Sequence, residues 1–253
     1  MARSDGSAAA DLDSARELRE KKRVLAALVV HDLRSPLAGI QGYLDLLREL
    51  VLQDESPTRN EAIGYLDDAT TLVGKALGLV GTILDVDELE DGILRVVRAP
   101  VKIAELIERA RAGNRAHIEV RQLRYELVCD LELEAQLDRD LFARIFENLL
   151  DNGARYAPRG GVLSVTAMRV ERSDVASGYV EIAIGNNGPA VPAAEREAIF
   201  GRYFQVEARR AAARANRGLG LYFCKLAVEA HGGTIHVESR PGLGTVFVIR
   251  IPD

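Results

Sequence analysis

Val30-His31-Asp32-Leu33-Arg34-Ser35-Pro36-Leu37 places a histidine, a carboxylate and a proline inside a run with helical periodicity. Around it the apolar positions are Val29, Leu33, Leu37, Ile40, Leu44, Leu47 and Val51, spaced 4, 4, 3, 4, 3 and 4 apart. That spacing is close to the seam of a coiled coil. Gln53-Asp54-Glu55-Ser56-Pro57 interrupts it and reads as a turn. The pattern resumes at Ile63, Leu66, Thr70, Val73, Leu77, Val80 and Leu84, and Asp91-Gly92 stops it. Residues 12–91 therefore read as an antiparallel helical hairpin with one apolar stripe on each arm. Two helices cannot bury both stripes. Either a second copy completes a four-helix bundle, the favoured solution, or the rest of the chain covers them.

Seam geometry sets the orientation of His31. It lies two positions from both Val29 and Leu33, about 200° around the helix axis, so it points away from the bundle core. A neutral imidazole keeps one ring nitrogen free as a nucleophile. Asp32 can accept the proton of the other nitrogen or act as general base. Pro36 removes a backbone donor and strains the helix just past the histidine. An ordinary surface histidine would fit these residues alone equally well.

Composition narrows the class. The chain has 253 residues, 47% hydrophobic and 28% charged, enough for a substantial core. The formal charge of −5, with dispersed Lys and Arg, argues against a nucleic-acid-binding domain. The Val24–Val30 apolar run is too short to span a bilayer, and the first seven residues lack the apolar centre of a secretory signal. Cys129 and Cys224 have no paired spacing and read as reduced, mostly buried thiols. The expectation is a soluble, cytoplasmic protein with no membrane span. Residues 1–10 are small and polar and read as a disordered tail.

Beyond Gly92 the pattern changes. Strands are expected at Ile93–Val97, Tyr125–Leu131, Val162–Val170, Tyr179–Ile184, Thr234–Glu238 and Thr245–Ile251. Helices are expected at Val101–Ala112, Asp138–Tyr156 and Gly218–His231, with a further one starting at Pro192–Phe200. The mixture gives an α+β chain: the helical hairpin, then a mixed sheet covered by helices.

Three segments in this second half carry chemistry. In Glu147-Asn148-Leu149-Leu150-Asp151-Asn152-Gly153-Ala154-Arg155-Tyr156, the residues Asn148, Asn152, Arg155 and Tyr156 share one helix face. Two carboxamide oxygens there can help hold Mg²⁺ beside phosphates, Arg155 can meet a phosphate and Tyr156 can flank a base. Solvated asparagines on an amphipathic helix are the bland reading. Gly218-Leu219-Gly220-Leu221 opens a helix, where bare backbone and free N–H groups suit a phosphate. Gly242-Leu243-Gly244-Thr245 is a glycine-rich turn between strands, open to a structural or a binding role.

With these segments in order, the chain resembles the catalytic core of the sensor histidine kinases of two-component systems. His31–Leu37 resembles the family's H-box, whose histidine accepts phosphate from ATP. Glu147–Tyr156 resembles the N-box, and Gly218–Leu221 the G2 box, of the GHKL ATP-binding fold. Gly242–Thr245 resembles the last glycine-rich turn, and Phe200 and Phe204 stand where an F-box is expected. Residues 201–217 would then be the lid, with Arg209, Arg210, Arg214 and Arg217 available to phosphates.

Gly185-Asn186-Asn187-Gly188-Pro189-Ala190 departs from the pattern. The family's G1 box is Asp-x-Gly-x-Gly, its aspartate receiving the adenine amino group. Asn186 stands for that aspartate and Ala190 for the second glycine. An Asn oxygen accepting from the amine would give a weaker, uncharged bond, and Ala190 would restrict a backbone where glycine permits positive φ.

The resemblance implies a disordered tail over 1–11, a dimerisation and phosphotransfer hairpin over 12–92 and a catalytic ATP-binding α/β sandwich over 93–253. The implied activity is autophosphorylation of His31 from ATP, with Asp32 as base, then transfer to an aspartate of a response regulator. Implied nucleotide contacts are Asn148, Asn152, Arg155, Tyr156, Asn186, Gly188, Gly218, Leu219, Gly220 and Thr245, with Asn148 and Asn152 at Mg²⁺. Ser35, four positions after the histidine, stands where the family has a Thr or Asn linked to regulator dephosphorylation. The implied partners are a second copy, a receiver domain and a separate sensor protein. A kinase-like phosphotransfer or scaffold protein with weak ATP binding is the alternative.

Overall fold

The computed structural model describes residues 33, 36–49, 59–171, 178–201 and 219–253. His31, Asp32, Ser35, the turn at 53–57, the tail, Phe204, Gly218 and the four lid arginines lie outside the described residues. Two units are described in turn: one reaching Gly81, the other running from Thr82 to the C-terminus.

In the first unit, residues 36–49 (α1) and the start of Arg59–Glu90 (α2) are helical. Tyr43 and Tyr65 have ring centroids 6.0 Å apart. A Cβ on Gly39 would stand 2.6 Å from Leu72 Cδ1, so Gly39 admits the Leu72 side chain. Advancing along α1 while receding along α2, these contacts define an antiparallel hairpin. Its stripe is open to solvent: Leu66 and Leu77 are 51% and 66% exposed, and Leu37, Leu44, Ile63 and Val73 are also exposed.

Glu61–Glu90 is long and apolar enough, by length and composition, to cross a membrane. Absence of a span is therefore not a property of the described residues. Its apolar side chains form a stripe rather than a belt, and Asp67, Asp68, Asp85 and Asp87 lie within it. A stripe is the pattern of a helix that packs against other helices on one side.

The second unit is a sheet with helices on one face. Its elements are the end of α2, β1 (Ala99–Lys102), α3 (Ile103–Gly113), α4 (Arg115–Val120), β2 (Arg124–Cys129), β3 (Glu134–Leu137), α5 (Arg139–Tyr156), β4 (Val162–Val170), β5 (Tyr179–Asn186), α6 (Gly220–Ala230), β6 (Thr234–Arg240) and β7 (Leu243–Pro252). β1 and β3 form an antiparallel pair, while the main sheet has the order β2-β4-β5-β7-β6. Only its β2–β4 pairing is parallel.

Alternation along the strands separates the faces. Leu163, Val165, Val180, Ile182, Ile184, Phe247 and Ile249 join one core with Leu106 and Ile107 of α3, Phe142, Phe146 and Leu149 of α5, and Phe223 and Ala227 of α6. The opposite face has only a small cluster of Ala183, Val246 and Val248. The result is the expected helical hairpin followed by a two-layer α/β sandwich.

Three local expectations need correction. Ile93–Val97 is not a strand: the segment is irregular, and the strand begins at Ala99. The Val97 N–H donates to Asp138 Oδ2, a side-chain acceptor in place of a strand neighbour. β3 and α4 were not foreseen, because four and six residues are too few to display a strand or helix period. Pro192–Phe200 forms two 3₁₀ turns, Ala193–Glu195 and Ala198–Phe200, in place of a continuous helix.

Candidate nucleotide site

α5 is the element on which the site is built. Asp138 caps it, Oδ1 accepting the N–H groups of Asp140 and Leu141 at 3.1 and 3.2 Å. Asp138's own N–H donates to Nε2 of His231, at the far end of α6, at 3.0 Å. Accepting there leaves the proton on Nδ1, which donates to the Ala227 carbonyl at 2.6 Å. His231 is fully buried and joins the start of α5 to the end of α6. Nothing in the sequence marks this role, since its partner is 93 positions away.

Leu141, Phe142, Ile145, Phe146, Leu149 and Leu150 turn the apolar side of α5 into the core. Asn148, Asp151, Asn152, Arg155 and Tyr156 are left on a half-buried face. Arg155 pairs with Asp151 one turn earlier, and His117 of α4 meets the other oxygen of Asp151 at 2.9 Å. Burial pushes the Asp151 carboxyl up, but the His117 hydrogen bond and the Arg155 charge more than offset it and hold the group below its usual range. Asp151 thus orients the guanidinium expected to meet phosphate.

At one end of this face stands Gly220. A Cβ there would be 3.2 Å from Asn148 Oδ1, so the first turn of α6 meets the asparagine directly. Leu219, the N-cap, has no side-chain acceptor, and no side chain caps α6 among the described residues. The structure thereby brings together Asn148, Leu219 and Gly220 from segments some seventy residues apart in the chain. Among the described residues no group of three or more His, Cys, Asp or Glu side chains could hold a metal ion. A cation here would use amide oxygens such as those of Asn148 and Asn152 together with phosphate oxygens, a donor set that suits Mg²⁺.

Eight residues on, about 12 Å along the helix at 1.5 Å per residue, the same face ends against the loop after β5. A Cβ on Gly188 would fall 2.2 Å from the Tyr156 carbonyl oxygen and 2.6 Å from Asn186 Oδ1. No side chain fits there. Gly244 comes as close: its Cβ would be 1.8 Å from the Gly188 carbonyl oxygen. Thr245 Oγ1 donates to the Pro189 carbonyl at 2.7 Å. The last glycine-rich turn thus clamps the 186–190 loop through Gly244 and Thr245. Ala190 is not at positive φ, so alanine causes no strain there. Phe200 is buried and stacks edge-on to Phe247, with centroids 6.1 Å apart.

Asn186 is 1% exposed. Its Oδ1 accepts the Gly188 N–H at 2.8 Å, which turns the oxygen back on its own loop and away from the role of free acceptor. Nδ2 is buried without a partner, one of three such side-chain atoms among the described residues. An orphan donor of this kind costs about 1–3 kcal/mol, so it points to a ligand.

Comparison with known proteins fits this geometry. Residues 137–253 match the family model for histidine kinase-, DNA gyrase B- and HSP90-like ATPases. Residues 21–92 match the His Kinase A phospho-acceptor domain. The chain belongs to the sensor histidine kinases. Sensor protein SrrB of Staphylococcus aureus is 26% identical over 96% of this chain. The chain spans only 40% of the length of SrrB. Among solved structures, the mycobacterial sensor histidine kinase MprB is 28% identical, covering 62% of this chain and 97% of its own, with a TM-score of 0.52. Histidine kinase ThkA in complex with response regulator protein TrrA shares the fold at 21% identity and a TM-score of 0.55, covering 96% of this chain and 66% of its own. Residues 137–253, within the second unit, are thus an ATP-binding domain of that class.

Proposed function

We propose that this kinase autophosphorylates on His31 from ATP and passes the phosphoryl group to an aspartate of a response regulator. The observation that carries the reading is the α5 face. Asn148 stands at the first turn of α6, which no side chain among the described residues caps, Asn152, Arg155 and Tyr156 follow, and the face ends at an unpaired buried donor on Asn186. A nucleotide laid along it would have its phosphates at Gly220 and its base at Asn186. Asn148 and Asn152 would share Mg²⁺ with those phosphates.

In the transfer step a ring nitrogen of His31 bonds to the γ-phosphorus while the bond to the β–γ bridging oxygen breaks, releasing ADP. Asp32 takes the ring proton. The protein's contribution is positioning and charge neutralisation. Ser35 is assigned a weak part in regulator dephosphorylation.

Residues 12–92 would form the dimerisation and phosphotransfer hairpin and residues 93–253 the catalytic domain. The partners are a second copy, a receiver domain and a sensor protein, with no nucleic acid, and the working compartment is the cytoplasm, where ATP is available. Asn186 favours a second reading, a phosphotransfer or scaffold protein that binds ATP weakly. Incubation with γ-labelled ATP and Mg²⁺ decides between them. Acid-labile label on the wild type and none on His31→Ala is expected. Unlabelled wild type removes the autokinase reading, and label persisting in His31→Ala removes the role of His31.

A further inference from the structure

Asn186 gives the base end of the site a donor where an adenine-selective site needs an acceptor. Its amide orientation is dictated by the backbone. The Gly188 N–H can only donate, so Oδ1 faces it at 2.8 Å; reversing the amide would set two donors against each other. The group left over is the –NH₂, buried and without a partner. Alternation along β5 places Asn186 on the same face as Val180, Ile182 and Ile184, which join the helix-side core. The side chain therefore lies by the last turn of α5, next to the Tyr156 carbonyl, as the close approach at Gly188 also requires.

This end suits a base better than a phosphate. Leu163 is the register partner of Asn186 on β4, Ile184 two residues before it is buried, and so is Ala157, the residue that follows Tyr156 at the end of α5. The first turn of α6, which no side chain among the described residues caps, lies at the other end of the face. What a buried –NH₂ without a partner lacks is a hydrogen-bond acceptor, which the edge of a flat base can supply.

We propose that this site selects a purine nucleotide carrying a carbonyl oxygen at position six, of the inosine or guanosine type, at least as well as ATP. Asn186 Nδ2 donates to that oxygen. The six-amino group of adenine would meet it donor to donor, and the base would have to shift. The inference rests on the nucleotide reading above and deepens it. Asn186 acts as a specificity residue that touches the base, while the phosphate contacts at Asn148 and Gly220 are common to every triphosphate.

Calorimetric titration of the full chain with ATP and with inosine triphosphate, each with Mg²⁺, tests it. The two ligands share ribose and phosphates and differ in the six-position pattern. Wild type is expected to bind the inosine nucleotide as tightly as ATP or more tightly. Asn186→Asp, which supplies an acceptor in the same shape, should shift the ratio toward ATP by tenfold or more. The side-chain amide resonance of Asn186, identified by its loss in Asn186→Asp, should move on adding the inosine nucleotide.

A tenfold preference of wild type for ATP overturns the proposal and needs no variant to fold. A ratio unchanged by Asn186→Asp, in protein whose melting temperature is preserved, overturns it as well. Absence of binding by both nucleotides in both proteins instead removes the nucleotide reading on which it rests.

Discussion

Gly188 shows how a single position can be dictated by its neighbours. Its missing side chain lets the 186–190 loop lie against the last carbonyl of α5 and the backbone of Gly244. The nearest obstacle is backbone, at 2.2 Å from where a Cβ would stand, and cannot swing aside. Gly188→Ala is expected to cost on the order of 1–3 kcal/mol, as overpacking does, and to weaken nucleotide binding because the loop carries Asn186. A thermal melt paired with a nucleotide titration checks both, and a melt within error of wild type would contradict the geometry. The motif spacing already singled out Gly188 and Asn186. The direction of the Asn186 amide was not legible, because it depends on a backbone N–H two residues on whose position only the folded turn defines.

Between elements, the coupling of α5 to α6 rests on a neutral imidazole. Burial lowers the His231 pKa, and the Arg98 charge acts the same way, against the Ala227 carbonyl and the Asp138 carboxylate. The folded state therefore disfavours the proton that the unfolded chain accepts near its usual pKa of about 6.5. In that window the unfolded state binds more protons, so stability falls as pH falls. The contribution is complete above about pH 6.5 and is lost as pH drops through the depressed folded value. Protonation would also set an N–H against the Asp138 N–H. Denaturant unfolding at pH 7.5 and 5.5 should show this loss, and His231→Gln should reduce it. Equal pH dependence in the two proteins would assign the effect to other groups. The end of α2 is tied in the same manner: Arg144 of α5 pairs with Asp85, donates to Thr82 Oγ1 at 3.0 Å and lies over the Phe223 ring at 4.5 Å. Periodicity shows each of these helices separately but says nothing of such ties, whose partners are far apart in the chain.

Across the chain as a whole, the exposed stripe of the hairpin bears on assembly. Leu66 and Leu77 stand at seam spacing and are more than half exposed. Burying a leucine is worth about 1.5–3 kcal/mol, and a two-fold pairing buries each residue twice. In the proposed dimer, Leu77→Asp should therefore weaken self-association by at least tenfold, since about 1.4 kcal/mol is a factor of ten. Light scattering over a concentration series reads this directly. Wild type that stays monomeric, or a variant that dimerises equally well, would refer the stripe to another partner.

Much of this architecture was written in local order. The 3,4 seam, the alternating strands of β4 and β5 and the caps of α5 are short-range patterns, and short-range patterns survive in one dimension. So do the polar positions at 148, 152, 155 and 156, because a helix repeats every 3.6 residues. What folding added is everything that depends on approach between distant segments: β1 against β3, His231 on Asp138, Gly220 on Asn148, Thr245 on the Pro189 carbonyl. Such contacts depend on the separations that packing imposes, and packing is a property of the whole core rather than of any window of sequence. For the same reason, the sequence could announce a nucleotide site but not that its base end presents a donor.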